Sequence, residues 1–293
     1  MPASYTNLTA RCLMTSVSTR PLLPDTALKI YCLQGDLAGS EIEEAGFLGN
    51  WEDDGYSFLF FTEESEFSVH HFLQRHPRLS LEDQFAMTYR EWQGGFAESV
   101  KIGRFLLNPP WLKRVADADE IALTFDPGLV FGNGTHPTTL ACLTAIEIAC
   151  AGGKVTRMVD LGTGTGLLAL AAAKLGCTEV IGVDNNMLAA ATAENNRKLN
   201  GLESSLLVAH GLAQTFASLP ADLLVANIGY RVLTEIITAE NLKRQRWLVL
   251  SGLQNAEAQA MLRLLDDLDA LVLKHWQSDN IWNTILSITK NGR

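Results

Sequence analysis

The chain has 293 residues, of which 47% are hydrophobic and 19% are charged, a balance typical of a folded globular protein rather than a disordered one. Its apolar runs fall short of the roughly 20 residues that cross a bilayer, so we expect no membrane partner. The five cysteines are scattered and form no CxxC pair. This argues against a disulfide framework or a zinc site, and it favours a reducing, cytoplasmic location with no metal centre.

The net charge of −10 is concentrated near the N-terminus, because residues 1–92 carry 14 acidic and 6 basic side chains. Such a surface repels the phosphates of nucleic acids and attracts a basic protein. The alternative is that acids such as those of "TEESE" (62–66) only keep the surface solvated. We therefore predict a basic protein partner and no direct contact with nucleic acid.

The first predicted domain follows a tail over residues 1–24, which lacks acids and is rich in Ser and Thr. This composition favours a frayed polar tail, with a transit peptide as the alternative. Aromatic and β-favouring residues predict strands over 27–33, 55–61 and 84–92. A helix is predicted over 65–76, with Ser65 as its N-cap and Pro77 just past its end. Together these elements predict a small α+β domain over 25–92.

A second domain is predicted after the proline pair of "LLNPPWLKR" (106–114), which we place in a connector over 93–115. Over residues 116–293, the predicted strands are 157–162, 179–184, 222–228, 247–253, 271–277 and 281–290, and the predicted helices are 139–150, 167–175, 187–199 and 255–268. This alternation is typical of an α/β fold with a doubly wound parallel sheet. The short "SDN" linker before the last strand cannot hold a parallel crossover, so an antiparallel hairpin should end the chain.

A glycine-rich turn joins the first of these strands to its helix in "MVDLGTGTG" (158–166). Turns of this kind let a nucleotide-like cofactor approach the backbone. Gly164, Gly166 and Ala169 satisfy the dinucleotide pattern G-x-G-x-x-A, so the pattern alone does not exclude NAD. Asp160, directly before the turn, penalises a pyrophosphate but favours the sulfonium and ammonium of S-adenosylmethionine. The charge therefore favours the methyl donor.

Asp184 ends the next predicted strand and is placed to accept the ribose hydroxyls of either cofactor. The alternative is that it caps the following helix, although Asn185 or Asn186 can also serve as the cap.

Four segments, 126–143, 158–176, 180–201 and 222–228, resemble the PrmA-type ribosomal protein methyltransferases. The resemblance is most specific in "FGNGTHPTT" (131–139), runs in register from about Trp92 to the end, and is only architectural over 25–91. It implies a Rossmann-like, seven-stranded, mainly parallel sheet with a reversed last strand. It also implies S-adenosylmethionine as cofactor and the stalk-base protein of the large ribosomal subunit as acceptor, held by the small N-terminal α+β domain.

The resemblance also implies site residues. Thr139, Gly162, Asp184 and Asn227 would contact the methyl donor, with Asp160 and Gly164 in the same loop. The segment from Phe131 to Thr139, including His136, would cover the cofactor's methionine end and line the acceptor entrance. Without the resemblance, His136 is better interpreted as a helix-entry residue bonded to backbone.

Asn227 is the candidate catalytic residue, because it ends a predicted strand at the edge where open α/β sheets bind ligands. Its amide oxygen would hold the target amine with the lone pair aimed at the sulfonium methyl, and such alignment supplies much of the catalysis of an in-line displacement. Tyr230 is a candidate contact for the methyl through its ring face, with a plain wall of the pocket as the alternative.

The chain departs from the family pattern in the glycine-rich loop, where "DLGTGTG" (160–166) replaces "DFGCGSG", and on the acceptor side. "NIGYRVL" (227–233) stands where the family has "NILAGPL", and Asn133 stands where it usually has Thr. The cofactor residues are retained, so these departures bear on the identity of the acceptor. The alternatives are a lysine methyltransferase for another protein, such as the electron-transfer flavoprotein, or a non-catalytic cofactor-binding module. An NAD-dependent dehydrogenase is disfavoured, because no hydride-transfer acid–base set accompanies the glycines.

Overall fold

The computed structural model of the protein describes residues 22–37, 42–53, 55–63, 65–94, 98–130 and 132–290. Most of the predicted polar tail and the candidate acceptor residue Phe131 therefore lie outside the described residues. Within these ranges the chain forms two compact units, one over residues 28–86 and one that combines residues 22–27 with everything from Met87 onwards.

The first unit is a four-stranded sheet with one helix. Its strands are β1 (Ala27–Gln34), β2 (Phe47–Asp53), β3 (Tyr56–Thr62) and β4 (Ser80–Thr88), in the order β2-β3-β1-β4, and its helix is α1 (Val69–Arg75). β1 and β3 pair antiparallel, and alternate residues of each, such as Leu33 and Phe61, join one buried cluster with Phe72 of α1. The alternation of a strand thus supplies one apolar face on which the helix packs.

Two predictions in this unit are wrong in detail. Helix α1 begins at Val69, four residues after its predicted start. Its N-cap is Ser68, which accepts a hydrogen bond from the His71 N–H at 3.4 Å. Ser65 instead donates to the Ala45 carbonyl at 2.8 Å. The strand predicted over 84–92 runs from Ser80 to Thr88, and its expected last four residues form the helix α2 (Tyr89–Trp92). A capping box between Thr88 and Glu91 provides hydrogen bonds to the first backbone N–H groups of that helix.

β2 was missed, because its sequence "FLGNWED" contains glycine and three polar residues that are rare in strands. Its pairing with β3 places it in the sheet despite this composition.

A three-stranded sheet opens the second unit. β5 (Val100–Ile102) pairs antiparallel with β6 (Phe105–Asn108), and β6 pairs parallel with β7 (Ile121–Thr124). β5 and β6 both lie within the segment 93–115. β6 ends at Asn108, because the next residue, Pro109, has no backbone N–H with which to continue the pairing. Phe105, Leu107 and Leu123 are fully buried in the main core of the unit. The sheet therefore packs against the larger α/β layer.

The α/β layer is a seven-stranded sheet with helices on both faces. Its strands are β8 (Arg157–Leu161), β9 (Glu179–Asp184), β10 (Leu206–His210), β11 (Ala221–Asn227), β12 (Gln245–Leu253), β13 (Leu271–Ser278) and β14 (Trp282–Ile288). Its helices are α3 (Pro137–Gly152), α4 (Leu167–Lys174), α5 (Met187–Leu199), α6 (Ala213–Phe216), α7 (Tyr230–Ile236), α8 (Ala239–Leu242) and α9 (Asn255–Asp267). The four helices predicted in this region are confirmed to within two residues at each end.

The strand order is β10-β9-β8-β11-β12-β14-β13, with the first five strands parallel and β14 antiparallel to both of its neighbours. The predicted mainly parallel seven-stranded sheet, its reversed last strand and the final hairpin are confirmed. Successive residues of β8 are buried on opposite faces of the sheet. Met158 packs in the apolar cluster that includes α3 and α4, and Val159 packs in the one that includes α7 and α9. The order reverses between β8 and β11, which opens a crevice at their carboxyl ends.

Candidate active site

The glycine-rich loop after β8 adopts a backbone that only glycine takes readily. Gly162, Gly164 and Gly166 have φ values of +72°, +55° and +84°. A Cβ built on Gly162 would lie 2.1 Å from Cγ2 of Ile228. The N–H groups of Gly162 and Thr163 both donate to the Val183 carbonyl, at 2.8 and 2.9 Å. The loop is therefore fixed between the ends of β9 and β11.

Asp160 is buried beneath this loop, with 1% of its surface exposed. Its Oδ2 accepts a hydrogen bond from the Thr163 hydroxyl at 2.7 Å, whereas Oδ1 makes no hydrogen bond of normal geometry. Burial raises the pKa of Asp160 to about 7, and the nearby carboxylate of Asp184 adds to this against the opposing effect of the Thr163 hydroxyl. A cation beside Asp160 would restore the charged form.

Asp184 receives a backbone hydrogen bond on each oxygen. The Gly164 N–H donates to Oδ2 at 2.8 Å, and the Asn186 N–H donates to Oδ1 at 2.9 Å. The alternative that Asp184 caps α5 is wrong, because Asn186 is the N-cap and accepts from the Ala189 N–H at 3.0 Å. A carboxylate oxygen can accept more than one hydrogen bond, so Asp184 can also accept a ligand hydroxyl. Burial raises the pKa of Asp184, and the backbone hydrogen bonds from Asn186 and Gly164 oppose this effect.

The start of α3 forms another side of the site. His136 is the N-cap of this helix, and its Nδ1 accepts from the Thr138 N–H at 3.4 Å. Pro137 occupies the first helical position, where its fixed φ suits a helix and a missing N–H costs nothing. The structure thus places His136 in the helix-entry role. Burial lowers the pKa of His136, and Asp279 in the turn after β13 partly opposes this effect.

Asn227, the last residue of β11, is brought to the start of α3. Its Nδ2 donates to Oγ1 of Thr138 at 3.2 Å. Thr139, in the same helical turn, is buried. Tyr230 begins α7 and packs, half-buried, against the cluster on that face of the sheet. This placement favours the plain-wall interpretation of Tyr230.

The segment that leads into α3 meets the glycine-rich loop. The Thr165 hydroxyl donates to the Gly132 carbonyl at 2.9 Å. A Cβ on Gly134, whose φ is +91°, would lie within 2.9 Å of the side chains of Ile102 and Leu107. Close approach of other side chains therefore requires glycine at 134, whereas at 132 the positive φ of +108° favours it.

Several residues of the site were missed in the sequence. Thr138 in "THPTT" (135–139) is a hydrogen-bonding residue by its sequence, but its contact with Asn227 is not predictable from the motif. Gly252 has φ +80°, and a Cβ there would lie 2.9 Å from the Ile228 carbonyl oxygen and 3.3 Å from Oδ1 of Asn227. Trp282 packs edge-to-face on His136, with ring centroids 5.1 Å apart. A glycine near the end of the hydrophobic strand "WLVLSGL" (247–253), where the pairing register with β14 shifts, was the available signal for Gly252. No sequence signal marked Trp282.

A model of the family described as "Ribosomal protein L11 methyltransferase (PrmA)" matches residues 72–290. This chain belongs to that family. The match spans the glycine-rich loop, the start of α3 and Asn227, so it favours the methyl-donor interpretation of the glycines over the dinucleotide one. The family uses S-adenosylmethionine.

Individual relatives agree with the family match. The ribosomal protein L11 methyltransferase of Lacticaseibacillus paracasei is 38% identical over 172 residues, covering 57% of this chain and 54% of the relative. That of Myxococcus xanthus is 34% identical over 192 residues, covering 64% of this chain and 66% of the relative. The chain thus matches between half and two thirds of the length of these relatives.

The crystal structure of the ribosomal protein L11 methylase from Lactobacillus delbrueckii subsp. bulgaricus has a TM-score of 0.56 and 26% identity, and covers 66% of this chain and 99% of that chain. This likeness agrees with the Rossmann-like methyltransferase fold described above. Among the helices of the described ranges, none has the length and apolar character needed to cross a membrane.

Proposed function

We propose that the protein is an S-adenosylmethionine-dependent methyltransferase whose acceptors are lysine side chains or the N-terminal amine of ribosomal protein L11, the stalk-base protein. The observation that carries this proposal is the family match over residues 72–290, which includes every described residue of the candidate site. A ribosomal acceptor would place the reaction in the cytoplasm.

The residues of the crevice fit this cofactor. Asp160 and Asp184 are both buried carboxylates, which would repel a pyrophosphate but suit a ligand with a sulfonium and an ammonium. Oδ1 of Asp160 is buried without a hydrogen bond of normal geometry, so positive charge nearby would stabilise the charged carboxylate. We propose that Thr139, Asp160, Gly162, Gly164, Asp184 and Asn227 hold the cofactor, with Asp184 on the ribose hydroxyls.

The proposed chemistry is an in-line displacement. When bound, the cofactor supplies a sulfonium methyl carbon, which the acceptor nitrogen attacks as the thioether leaves. Asn227 donates a hydrogen bond from Nδ2 to Thr138. Its Oδ1 would then accept a hydrogen bond from the acceptor amine and so align the lone pair of that amine with the methyl carbon. The amine must be neutral to react, and a desolvated site favours that form.

We propose that the N-terminal domain, residues 25–92, recognises the basic acceptor protein. β4 is an edge strand of its sheet, and its residues 80–84 are exposed and include Glu82 and Asp83. An exposed acidic edge is suited to steering a basic protein.

Purified chain, unmethylated L11 and S-adenosylmethionine should yield L11 whose intact mass rises by multiples of one methyl group. The Asp184→Ala variant serves as the control, since it should lose cofactor binding and leave L11 unchanged. If the wild-type chain binds the cofactor but L11 keeps its mass, the acceptor assignment is wrong, and methyl incorporation into an undermethylated cell extract would then locate the true acceptor.

A further inference from the structure

Thr138 connects His136 to Asn227 through hydrogen bonds. Its hydroxyl lies 2.8 Å from Nδ1 of His136 and 3.2 Å from Nδ2 of Asn227. Thr138 is 1% exposed, so water does not compete for these bonds. The three residues come from positions up to 91 apart along the chain and meet at the crevice.

The direction of each hydrogen bond follows from the donors available. In the tautomer in which Nδ1 of His136 carries no proton, its single lone pair faces the Thr138 hydroxyl at 2.8 Å and the Thr138 N–H at 3.4 Å, and the two donors share it. The hydroxyl makes the shorter contact, so its one hydrogen points to Nδ1 and its lone pairs are presented to Asn227. Asn227 must turn its NH₂ group toward Thr138. Its Oδ1 consequently faces away from Thr138.

The His136 ring also contacts the β13–β14 hairpin. Trp282 packs against it with an interplanar angle of 70°. Asn283, the next residue, is buried and donates from Nδ2 to the Leu253 carbonyl at 3.3 Å. The Ser278 hydroxyl donates to the Pro137 carbonyl at 3.4 Å. The β13–β14 hairpin thus fixes the imidazole that orients the Thr138 hydroxyl.

The space beside Oδ1 of Asn227 is kept open by Gly252. A Cβ at this position would come within 3.3 Å of Oδ1 and 2.9 Å of the Ile228 carbonyl oxygen. A side chain at position 252 would therefore crowd Oδ1 of Asn227.

We propose that Thr138, backed by His136, is a positioning residue that holds the Asn227 amide with Oδ1 toward the reacting amine. This inference rests on the proposed function, since it assigns Asn227 to the acceptor. A flipped amide would present N–H donors to the amine and occupy the lone pair that must attack the methyl. The hydroxyl of Thr138 thereby selects the productive orientation.

The test compares Thr138→Val, which keeps the shape and loses the hydroxyl, with Thr138→Ser, which keeps the hydroxyl. We expect Thr138→Val to lower kcat for L11 by about 10- to 100-fold, because misalignment of reacting groups has effects of this size. The fall in kcat should exceed any rise in the Kd for S-adenosylhomocysteine, because Asn227 is also among the residues proposed to hold the cofactor. Thr138→Ser should recover most of kcat.

Thr144→Val is the matched control. Thr144 lies on the same helix and its hydroxyl donates only to the Leu140 carbonyl one turn back. It should keep wild-type kcat, and thermal unfolding of all three variants separates misfolding from misalignment. Wild-type turnover by Thr138→Val, or equal losses in Thr138→Val and Thr138→Ser, would overturn the inference.

A second readout does not depend on the acceptor. In protein labelled with ¹⁵N-asparagine, the side-chain NH₂ signals of Asn227, identified by their loss in Asn227→Asp, should shift in Thr138→Val and stay in place in Thr144→Val. Unchanged signals in Thr138→Val would overturn the positioning role whatever the acceptor is. Shifted signals together with an unmethylated L11 would instead support the orientation of Asn227 and overturn only the proposed acceptor.

Discussion

At the scale of single residues, the candidate site contains features that lower the folding stability of the ligand-free protein. Asp160 is a buried carboxyl with one oxygen unused, and Gly162 lies where no other residue fits. Functional sites commonly carry such features at the expense of stability. Each of these two residues gives a prediction.

Replacing Asp160 by Asn should stabilise the ligand-free protein at pH 8. The folded-state pKa of Asp160, about 7, is above its unfolded value near 4. The unfolded chain therefore releases its proton first, and wild-type stability falls as pH rises from about 4 to 7. The advantage of Asp160→Asn in unfolding free energy should grow over that range to at most about 4 kcal/mol, as measured by urea unfolding at pH 5 and pH 8.

The same variant should bind S-adenosylmethionine more weakly in calorimetry, because the ligand cation loses its carboxylate partner. Asp266→Asn, at an exposed position of α9, supplies the control for the substitution itself. If Asp160→Asn raised the unfolding free energy by the same amount at pH 5 and pH 8, the predicted titration of Asp160 would be contradicted.

Gly162→Ala should lower the free energy of unfolding by about 2–5 kcal/mol, combining the penalty of a left-handed backbone with overpacking. The clash is with Ile228, 2.1 Å from the added carbon. Gly176→Ala is the matched comparison, because Gly176 has φ +103° and nothing within 4 Å of an added Cβ. Chemical denaturation should show a smaller loss of unfolding free energy for Gly176→Ala than for Gly162→Ala. Equal losses would mean that contact with Ile228 carries no weight.

At the scale of elements, α3 begins with a histidine as its N-cap, and the same ring belongs to the Thr138 network. A helix start thereby becomes part of the candidate site. Burial lowers the pKa of His136 and so favours the neutral ring, which is the form that can accept the Thr138 N–H.

His136→Asn should make stability less dependent on pH, because asparagine caps a helix without titrating. The pKa of His136 is lower in the folded state than its unfolded value near 6.5. As pH falls through 6.5, the unfolded chain binds a proton first and the wild-type protein loses stability. Unfolding free energies at pH 8 and pH 5.5 should therefore differ more for wild type than for His136→Asn. The same difference in both proteins would show that His136 does not titrate across folding.

At the scale of the whole molecule, negative charge is concentrated in residues 1–92, and the candidate chemistry lies in the second unit. Recognition and methyl transfer are therefore expected to respond to different substitutions. This expectation concerns KM and kcat for the proposed acceptor.

Glu82→Lys combined with Asp83→Lys should raise KM for L11 several-fold and leave kcat nearly unchanged, since exposed charges act mainly on encounter. The effect should weaken with added salt as screening increases. Asp266→Lys with Asp267→Lys makes the same change of net charge on α9 and should leave KM unaltered. A similar rise in KM for both double variants would mean that net charge, rather than the edge strand β4, governs recognition.

Much of this architecture was predictable because it depends on constraints within short stretches of chain. The alternation of apolar strands and helices predicted the doubly wound sheet, and the short linker before β14 predicted the hairpin. The glycines at 162, 164 and 166 indicated the turn, since only glycine readily takes its positive φ values.

The short strands β2 and β10 were not predictable in this way. β2 has an unfavourable composition and gains its place from pairing with β3. β10, with five residues, gains its place from pairing with β9. Such pairing is a tertiary effect that local propensity does not report.

The sequence by itself determined the sheet, the glycine turn and the acids near the end of β8 and at the end of β9, because backbone conformation and strand periodicity are local properties. Only the tertiary structure decided how Asn227 is oriented. Its amide is set by Thr138, 89 positions earlier, and Thr138 is set by His136 against Trp282. These contacts form between residues distant along the chain, so no local pattern records them, and they exist only once the folded sheet brings the start of α3, the end of β11 and the last hairpin together.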